Sequence, residues 1–531
     1  MLEFLKRVQI IRSISIKATT VIALLMLLIY YGSFMERNYR ILPSYLDWTA
    51  VPYRIYKNWQ RNRPKDIPNI DFKLKEYLVN SEGLQRTNFM LKTGAIGSKD
   101  SLRVLFYGQS ITRGLNSEHI IDQMQSINPG VKIIFDNKSI GGFTAKHLVR
   151  TLEHDVIPFR PDLIVFHVYG GVEDRKLEGI FHQFKTRTTA EVLIYNHHLN
   201  AESNLKERNE QWLKDDVGSN KLQELCFKYG FALLDIRSLW KDYLKRNPEI
   251  LLPVLMKDAI HPNRNGNYLI ESAIISAFSE QETAVHWADK NEKLIHEIQL
   301  GKGYVTLDSI LNTDNAQLIP RSDFLLLTQG KLEVTFTGFR IELISPLNIP
   351  SSEGAKVKFL IDGKPLSEWK KTYFVTRPSR SLDYFTPALK RVNLVGTQVR
   401  DEYELIITFI DHDKKEISYE VFSKSNGFEG NGSNQSVFES KSGRIRINPS
   451  DFYIFESDVH TQSRTSKGFK INWKVQPYIG DYAVYSSKNT QTNDIFELSN
   501  KTHKLSIELI EGSRPFPISA FRIYSPHKMN N

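Results

Sequence analysis

The chain has 531 residues, 41% hydrophobic and 24% charged, with a formal net charge of +10 and a single cysteine. That size and apolar content exclude a disordered chain and a small disulfide-stapled scaffold, and leave room for more than one packed core. The basic excess is mild and no base-reading motif accompanies it, so nucleic acid is not an expected partner, whereas anionic lipid or an acidic glycan suits the charge.

The first element in chain order is an uncharged stretch at residues 18–35, containing Val21-Ile22-Ala23-Leu24-Leu25-Met26-Leu27-Leu28-Ile29. Its length is near the minimum for a bilayer span. Lys6, Arg7, Arg12 and Lys17 precede it and favour an inside amino terminus. A cleaved leader would need small residues at its end, and Tyr30-Tyr31-Gly32-Ser33-Phe34-Met35 offers only Gly and Ser between bulky groups. Residues 1–36 are therefore expected to be a cytoplasmic tip and an uncleaved transmembrane helix, with the remainder on the periplasmic or extracellular side. Residues 37–99 follow as a juxtamembrane stalk, in which Tyr45, Trp48, Tyr53, Tyr56 and Trp59 alternate with basic residues. Either a membrane-interface position or packing against the next domain accounts for them.

Between residues 100 and 285, apolar runs of strand length recur at 102–106, 131–135, 163–169, 191–195 and 231–236. Helix-like spacing separates them at 118–124, 144–154, 172–185 and 207–229, and a last helix opens at Asn265. This alternation predicts an α/β fold, a parallel five-stranded sheet in a three-layer α/β/α domain. Cys226 falls in an apolar helical context and is expected in the core.

Two segments of this domain carry chemistry. Tyr107-Gly108-Gln109-Ser110-Ile111-Thr112 places a serine at the carboxyl end of the first strand, where α/β sheets expose their loops. Asp258-Ala259-Ile260-His261-Pro262 places a histidine led by an aspartate just before the last helix. Serine is a poor nucleophile unless a base takes its proton, an acid orients that base, and donors hold the oxyanion. Ser110, His261 and Asp258 are the candidates for nucleophile, base and orienting acid. This chemistry requires no metal or organic cofactor.

In these blocks, over residues 100–285, the chain resembles the SGNH (GDSL-like) hydrolase family. Gln109 stands where that family has an aspartate before its serine. The family's second block, a glycine after the second strand, is matched by Asn137-Lys138-Ser139-Ile140-Gly141-Gly142-Phe143-Thr144. The resemblance implies that the amides of Ser110 and Gly142 hold the oxyanion. The third block, Gly-x-Asn-Asp, is not matched: Phe166-His167-Val168-Tyr169-Gly170-Gly171-Val172-Glu173-Asp174 keeps the strand and the glycines but lacks the asparagine. Glu173 and Asp174, when ionised, only accept hydrogen bonds. Losing one oxyanion donor costs on the order of 10² to 10³ in rate elsewhere. The Gly171 amide, His167, His197 and His198 are the candidate replacements, and Gly170 and Gly171 are expected to shape the wall.

After about residue 285 the texture changes to short alternating runs, as at 331–336, 339–344, 356–361 and 403–409, punctuated by turns such as Asp362-Gly363-Lys364-Pro365. Residues 286–531 are expected to be an all-β, jelly-roll-like sandwich region, one elaborate sandwich or two small ones. Val334-Thr335-Phe336-Thr337-Gly338-Phe339 followed by Ile361-Asp362-Gly363-Lys364 looks like the β-sandwich module of some SGNH-type carbohydrate esterases. Trp369, Tyr373 and Tyr384 are either core residues or glycan contacts, and residues 426–436 read as a loop.

The expected function is that of a membrane-anchored, extracytoplasmic serine esterase acting on an acylated glycan or polysaccharide, with acetyl the expected acyl group. Two alternatives remain at this level. An O-acyltransferase would use the same three residues, and a degenerate esterase would only bind cell-surface polysaccharide.

Overall fold

The computed structural model describes residues 67–94, 101–199, 208–279, 295–302, 311–313, 315–369, 372–379, 386–461, 463–488, 491–495, 498 and 501–525. The expected anchor at 18–35, the aromatic residues between 45 and 59, and Tyr384 lie outside the described residues. Among the described residues, no helix is long and apolar enough to cross a membrane.

The first unit is built on strands β1 (Leu78–Val79), β2 (Leu102–Gly108), β3 (Ile133–Asn137), β4 (Leu163–His167), β5 (Glu191–Tyr195) and β6 (Ala232–Leu234). Their spatial order is β1-β6-β5-β4-β2-β3. β2 to β6 run parallel, and β1 adds an antiparallel edge. The continuous apolar character of β2 has a simple cause. Val104 and Phe106 enter a core on one face of the sheet while Leu105 and Tyr107 enter a second core on the other, so neither face tolerates polar alternation.

Helices cover both faces. On one lie α1 (Gln85–Thr93), α3 (Ser117–Ile127), α7 (Ile236–Arg246) and α8 (Arg264–Ser279), contributing Leu91, Ile120, Trp240 and Leu269. On the other lie α4 (Ala145–Asp155), α5 (Lys176–Arg187) and α6 (Arg208–Tyr229), contributing Leu148, Phe184 and Cys226. The five-residue helix α2 (Ser110–Gly114) leads out of β2. Residues 67–94, within the segment expected as a stalk, pack into this unit. Leu84 and Leu91 are fully buried, and the Glu191 carboxylate accepts from the Arg86 and Thr87 amides at 2.8 and 2.7 Å.

The chain steps from β2 outward to β3 and then back across β2 to β4. That reversal is the switch point at which doubly wound sheets open a crevice beyond the strand ends. Ser110 follows β2, Gly141 and Gly142 follow β3, and Gly170 and Gly171 follow β4, so the topology alone gathers these loops.

The β region holds two cores. The first is formed by residues 300–369 and 479–523, and the second by residues 373–475. The β unit around the second core is thus inserted within the β unit around the first. Strands Leu325–Gly338 and Lys356–Ile361 both pair with Lys501–Leu509 across the insertion. The inserted unit is centred on Asp401–Asp411, which lies between Glu416–Ser423 and Lys470–Pro477. Residues 426–436, expected as a loop, contain the edge strand Gly427–Ser433. Its glycines hid the alternation for a packing reason: a Cβ on Gly432 would come within 2.5 Å of the Tyr419 ring.

The inserted unit docks on α4. Arg377 bonds Asp155 through Nε at 2.9 Å, Arg150 Nε bonds Asp451 at 2.7 Å, and the His154 ring donates through Nδ1 to the Val375 carbonyl at 3.1 Å. Trp369 packs beside the first β core and Tyr373 beside the second, so both are packing residues.

Candidate active site

β2 ends at Gly108, whose φ of +150° and surroundings admit no side chain. A Cβ there would lie 2.2 Å from the His167 carbonyl oxygen and 2.7 Å from Thr112 Oγ1. The chain can therefore turn sharply into α2 with Ser110 at the first helical position. On the far side, the loop before α8 is closed by the Lys257 amide donating to the His261 carbonyl at 2.8 Å. Gly266 keeps that loop close, since a Cβ there would meet the Leu255 carbonyl oxygen at 2.4 Å and the Trp240 ring at 2.8 Å.

These two loops bring three side chains into one chain of hydrogen bonds. Ser110 Oγ lies 2.9 Å from His261 Nε2, and His261 Nδ1 lies 2.9 Å from Asp258 Oδ2. A carboxylate only accepts, so His261 Nδ1 carries the proton and Nε2 is left bare to receive the serine hydrogen. Asp258 also accepts from the Ile260 and His261 amides at 2.9 and 2.8 Å. Burial works to raise the Asp258 carboxyl, but these two amides and the His261 ring together outweigh it and hold it below the usual carboxylate range. The side chains of His261 and Asp258 are 40% and 50% exposed, so water reaches the base directly.

Gly142, Gly170 and Gly171 all adopt left-handed backbone, with φ of 78°, 71° and 88°. Gly141 lies against the nucleophile, since a Cβ there would sit 3.9 Å from Ser110 Cβ. Among the described residues, the Ser110 and Gly142 amides make no hydrogen bond. Gly171 is dictated by packing, because a Cβ would collide with Ala145 Cβ at 2.3 Å, whereas Gly170 faces open space. Glu173 is turned out to solvent and paired with Lys221 at 2.6 Å.

The histidines proposed as substitute donors bond one another and the backbone. His198 donates through Nε2 to the Ile260 carbonyl at 2.9 Å, directly beneath the Asp258-to-His261 turn, and its Nδ1 lies 3.4 Å from the Tyr169 hydroxyl. His167 Nε2 lies 3.2 Å from His197 Nδ1, and the His197 ring stacks on Tyr169 with centroids 4.1 Å apart. Burial keeps all three neutral: His167 is held far below the ordinary histidine range, His197 is lowered to about 3 and His198 to about 4. They form a supporting wall behind the site.

Gln109 is buried beside the nucleophile. Its amide nitrogen donates to the Phe143 carbonyl at 3.0 Å and its oxygen accepts from the Tyr169 amide at 3.2 Å. This residue stitches together the loops after β2, β3 and β4, a role not legible in the sequence, where it registered only as a departure from the family aspartate.

A groove of about 750 Å³ opens beside Ser110 and His261. Asn116, Asn137, Asn267, Arg113 and Lys257 line it, so its walls are dense in hydrogen-bonding groups. Asn267 Nδ2 is held by the Gly114 carbonyl at 3.0 Å, while among the described residues its buried Oδ1 has no hydrogen-bond partner.

No family model matches the chain, and no curated protein matches it. Among solved structures, the chain is similar to a two-domain esterase (CEX) active on acetylated mannans, co-crystallised with mannopentaose. The identity is 12% and the TM-score 0.31, over 86% of this chain and 100% of that one. It is also similar to Axe2, an acetylxylan esterase from Geobacillus stearothermophilus, at 18% identity and a TM-score of 0.30, over 35% of this chain and 98% of that one.

Proposed function

We propose that this protein is an SGNH-type serine esterase that removes acyl groups, acetyl foremost, from a glycan. The observation that carries the proposal is the unbroken path from Ser110 Oγ through the His261 ring to the Asp258 carboxylate, at 2.9 Å for each link. Ser110 Oγ attacks the ester carbonyl as its proton passes to His261 Nε2, and Asp258 stabilises the resulting imidazolium. The tetrahedral oxyanion is held by the Ser110 and Gly142 amides. On collapse, His261 returns the proton to the departing sugar oxygen, leaving an acyl-serine. Water then attacks that ester, giving its proton to His261, and the second collapse releases the carboxylic acid and restores the Ser110 hydroxyl.

Two features favour a polymeric sugar and hydrolysis over transfer. The groove beside the serine is lined by asparagines suited to sugar hydroxyls, and the exposed base gives water free access. In the same proposal the apolar segment at 18–35 anchors the chain with the esterase outside the cytoplasm. Retention in membranes after alkaline wash tests that part.

The test of the chemistry is labelling of the protein with a serine-directed fluorophosphonate, followed by assay of acetate release from acetylated mannan and acetylated xylan. Ser110→Ala is the control. Labelling and release that both vanish in Ser110→Ala support the proposal. A folded wild type that neither labels nor releases acetate overturns it, and acetyl found on an added sugar acceptor instead of free acetate replaces hydrolysis with transfer.

A further inference from the structure

We propose that the inserted β unit, residues 373–477, supports catalysis through one contact, and that Tyr453 is the positioning residue through which it fixes the Gly142 amide at the oxyanion site. The inference rests on the esterase reading above and assigns the insertion a role inside the reaction.

The chain direction at this point is informative. Phe452 and Ile454 turn into the core of the inserted unit, whereas Tyr453 between them joins the core of the α/β unit. Its ring is 1% exposed and meets the Phe143 ring edge to face, with centroids 4.6 Å apart, and the His147 ring at 5.3 Å. Its amide is tied to the Ala388 carbonyl at 2.9 Å, so the backbone behind the ring is fixed within the insertion.

Phe143 is the residue after Gly142, and it is held at both ends. Tyr453 covers its side chain, and Gln109, the neighbour of the nucleophile, binds its carbonyl at 3.0 Å. The start of the same loop is held as well: Arg377 of the insertion donates to the Lys138 carbonyl at 3.0 Å, and the Ile140 amide donates to the Gly108 carbonyl at 2.9 Å. The loop from Lys138 to Thr144 is thereby clamped between the end of β2 on one side and the insertion on the other. Gly142 stands in the middle in left-handed backbone, a conformation its own residue type does not enforce. Its placement comes from the two clamps.

Displacement of an oxyanion donor lowers the rate of acyl transfer with little change in substrate binding, because the charge it meets exists only in the transition state. The inserted unit therefore acts on turnover. A module that merely tethers glycan would act on substrate affinity for polymers and leave small esters unaffected.

The experiment compares wild type, Tyr453→Ala, Tyr453→Phe and Ile471→Val in the whole protein, with p-nitrophenyl acetate as substrate and hydrogen exchange of peptides covering residues 138–148 as a second readout. Ile471 lies in the core of the same insertion and serves as a control for simple loosening. The expected result for Tyr453→Ala is a fall in kcat of roughly 10²-fold, the scale of a misplaced catalytic group, with KM nearly unchanged and faster exchange in 138–148. Tyr453→Phe, which keeps the ring, restores both, and Ile471→Val alters neither. A folded Tyr453→Ala protein with wild-type exchange in 138–148 overturns the inference, as does a loss of kcat matched by Ile471→Val. The exchange readout does not depend on turnover. If the wild type proves inactive, the esterase reading falls, and exchange alone decides whether Tyr453 fixes this loop.

Discussion

At the scale of single residues, the site is defined as much by what is too small to obstruct it as by its reactive groups. Gly108→Ala is expected to be among the most damaging single-atom additions. It forces a Cβ to within 2.2 Å of the His167 carbonyl oxygen at a φ of +150°, a strain worth about 1–3 kcal/mol before the collision is counted. Thermal unfolding should show a lowered midpoint, and fluorophosphonate labelling of Ser110 should be lost in whatever protein remains folded. Asp258→Asn tests a different property. The asparagine has similar size but no negative charge to stabilise the imidazolium, so kcat should fall by roughly 10⁴ with KM little changed. A wild-type kcat in that variant would remove Asp258 from the mechanism.

At the scale of elements, α4 is the joint of the molecule. Its outer side carries Arg150, His154 and Asp155, each bonded to the inserted unit. Asp155 is 1% exposed at its side chain and Arg377 11%. Arg377→Met leaves a buried carboxylate without its cation and should cost about 3–5 kcal/mol in chemical denaturation. Adding Asp155→Leu should recover most of that, since the uncompensated charge is then gone. A single variant no less stable than the double would show that Asp155 carries no penalty when left without its cation. The sequence made the α/β elements legible because the inner strands β2, β4, β5 and β6 are buried on both faces and the helices on one, so apolar content marks them directly. It also marked Ser110, Asp258 and His261, which lie within short segments at the ends of predicted elements. It could not show Gln109 bridging to Phe143 and Tyr169, or Tyr453 reaching across to Phe143, because those contacts join residues distant in the chain whose local pattern is unremarkable. The glycine-rich strand at 427–433 was illegible for the opposite reason, having too few side chains to alternate.

At the scale of the whole molecule, burial of neutral histidines sets the response to acid. His154, His167, His197 and His198 are all depressed by burial, His198 to about 4 and His197 to about 3. The unfolded chain binds protons at these four positions as pH falls through about 6.5, while the folded chain does not. Folding stability is therefore complete above that pH and declines below it, by at most ~1.4 kcal/mol per pH unit for each histidine until its folded value is reached. Unfolding midpoints measured between pH 7.5 and pH 5 should fall steeply, and His197→Phe should flatten the slope. A flat profile across that range would contradict neutral burial of the cluster.

The nesting of one β unit inside another also governs the order in which the protein can be made. Thr337 and Thr502 are hydrogen-bonded neighbours, yet 165 residues separate them along the chain. As a ribosome delivers the polypeptide, the strands and helices of the α/β unit are all present by residue 279, although its core lacks Tyr453 until the insertion arrives, and the inserted unit closes once Lys470–Pro477 has emerged. The outer β unit must wait until Lys501–Leu509 arrives, and until then the long strand Leu325–Gly338 presents an unpaired apolar edge. A nascent chain that has emerged as far as residue 495 would hold two finished units joined by half of a third, and it is that exposed half that a chaperone would have to guard.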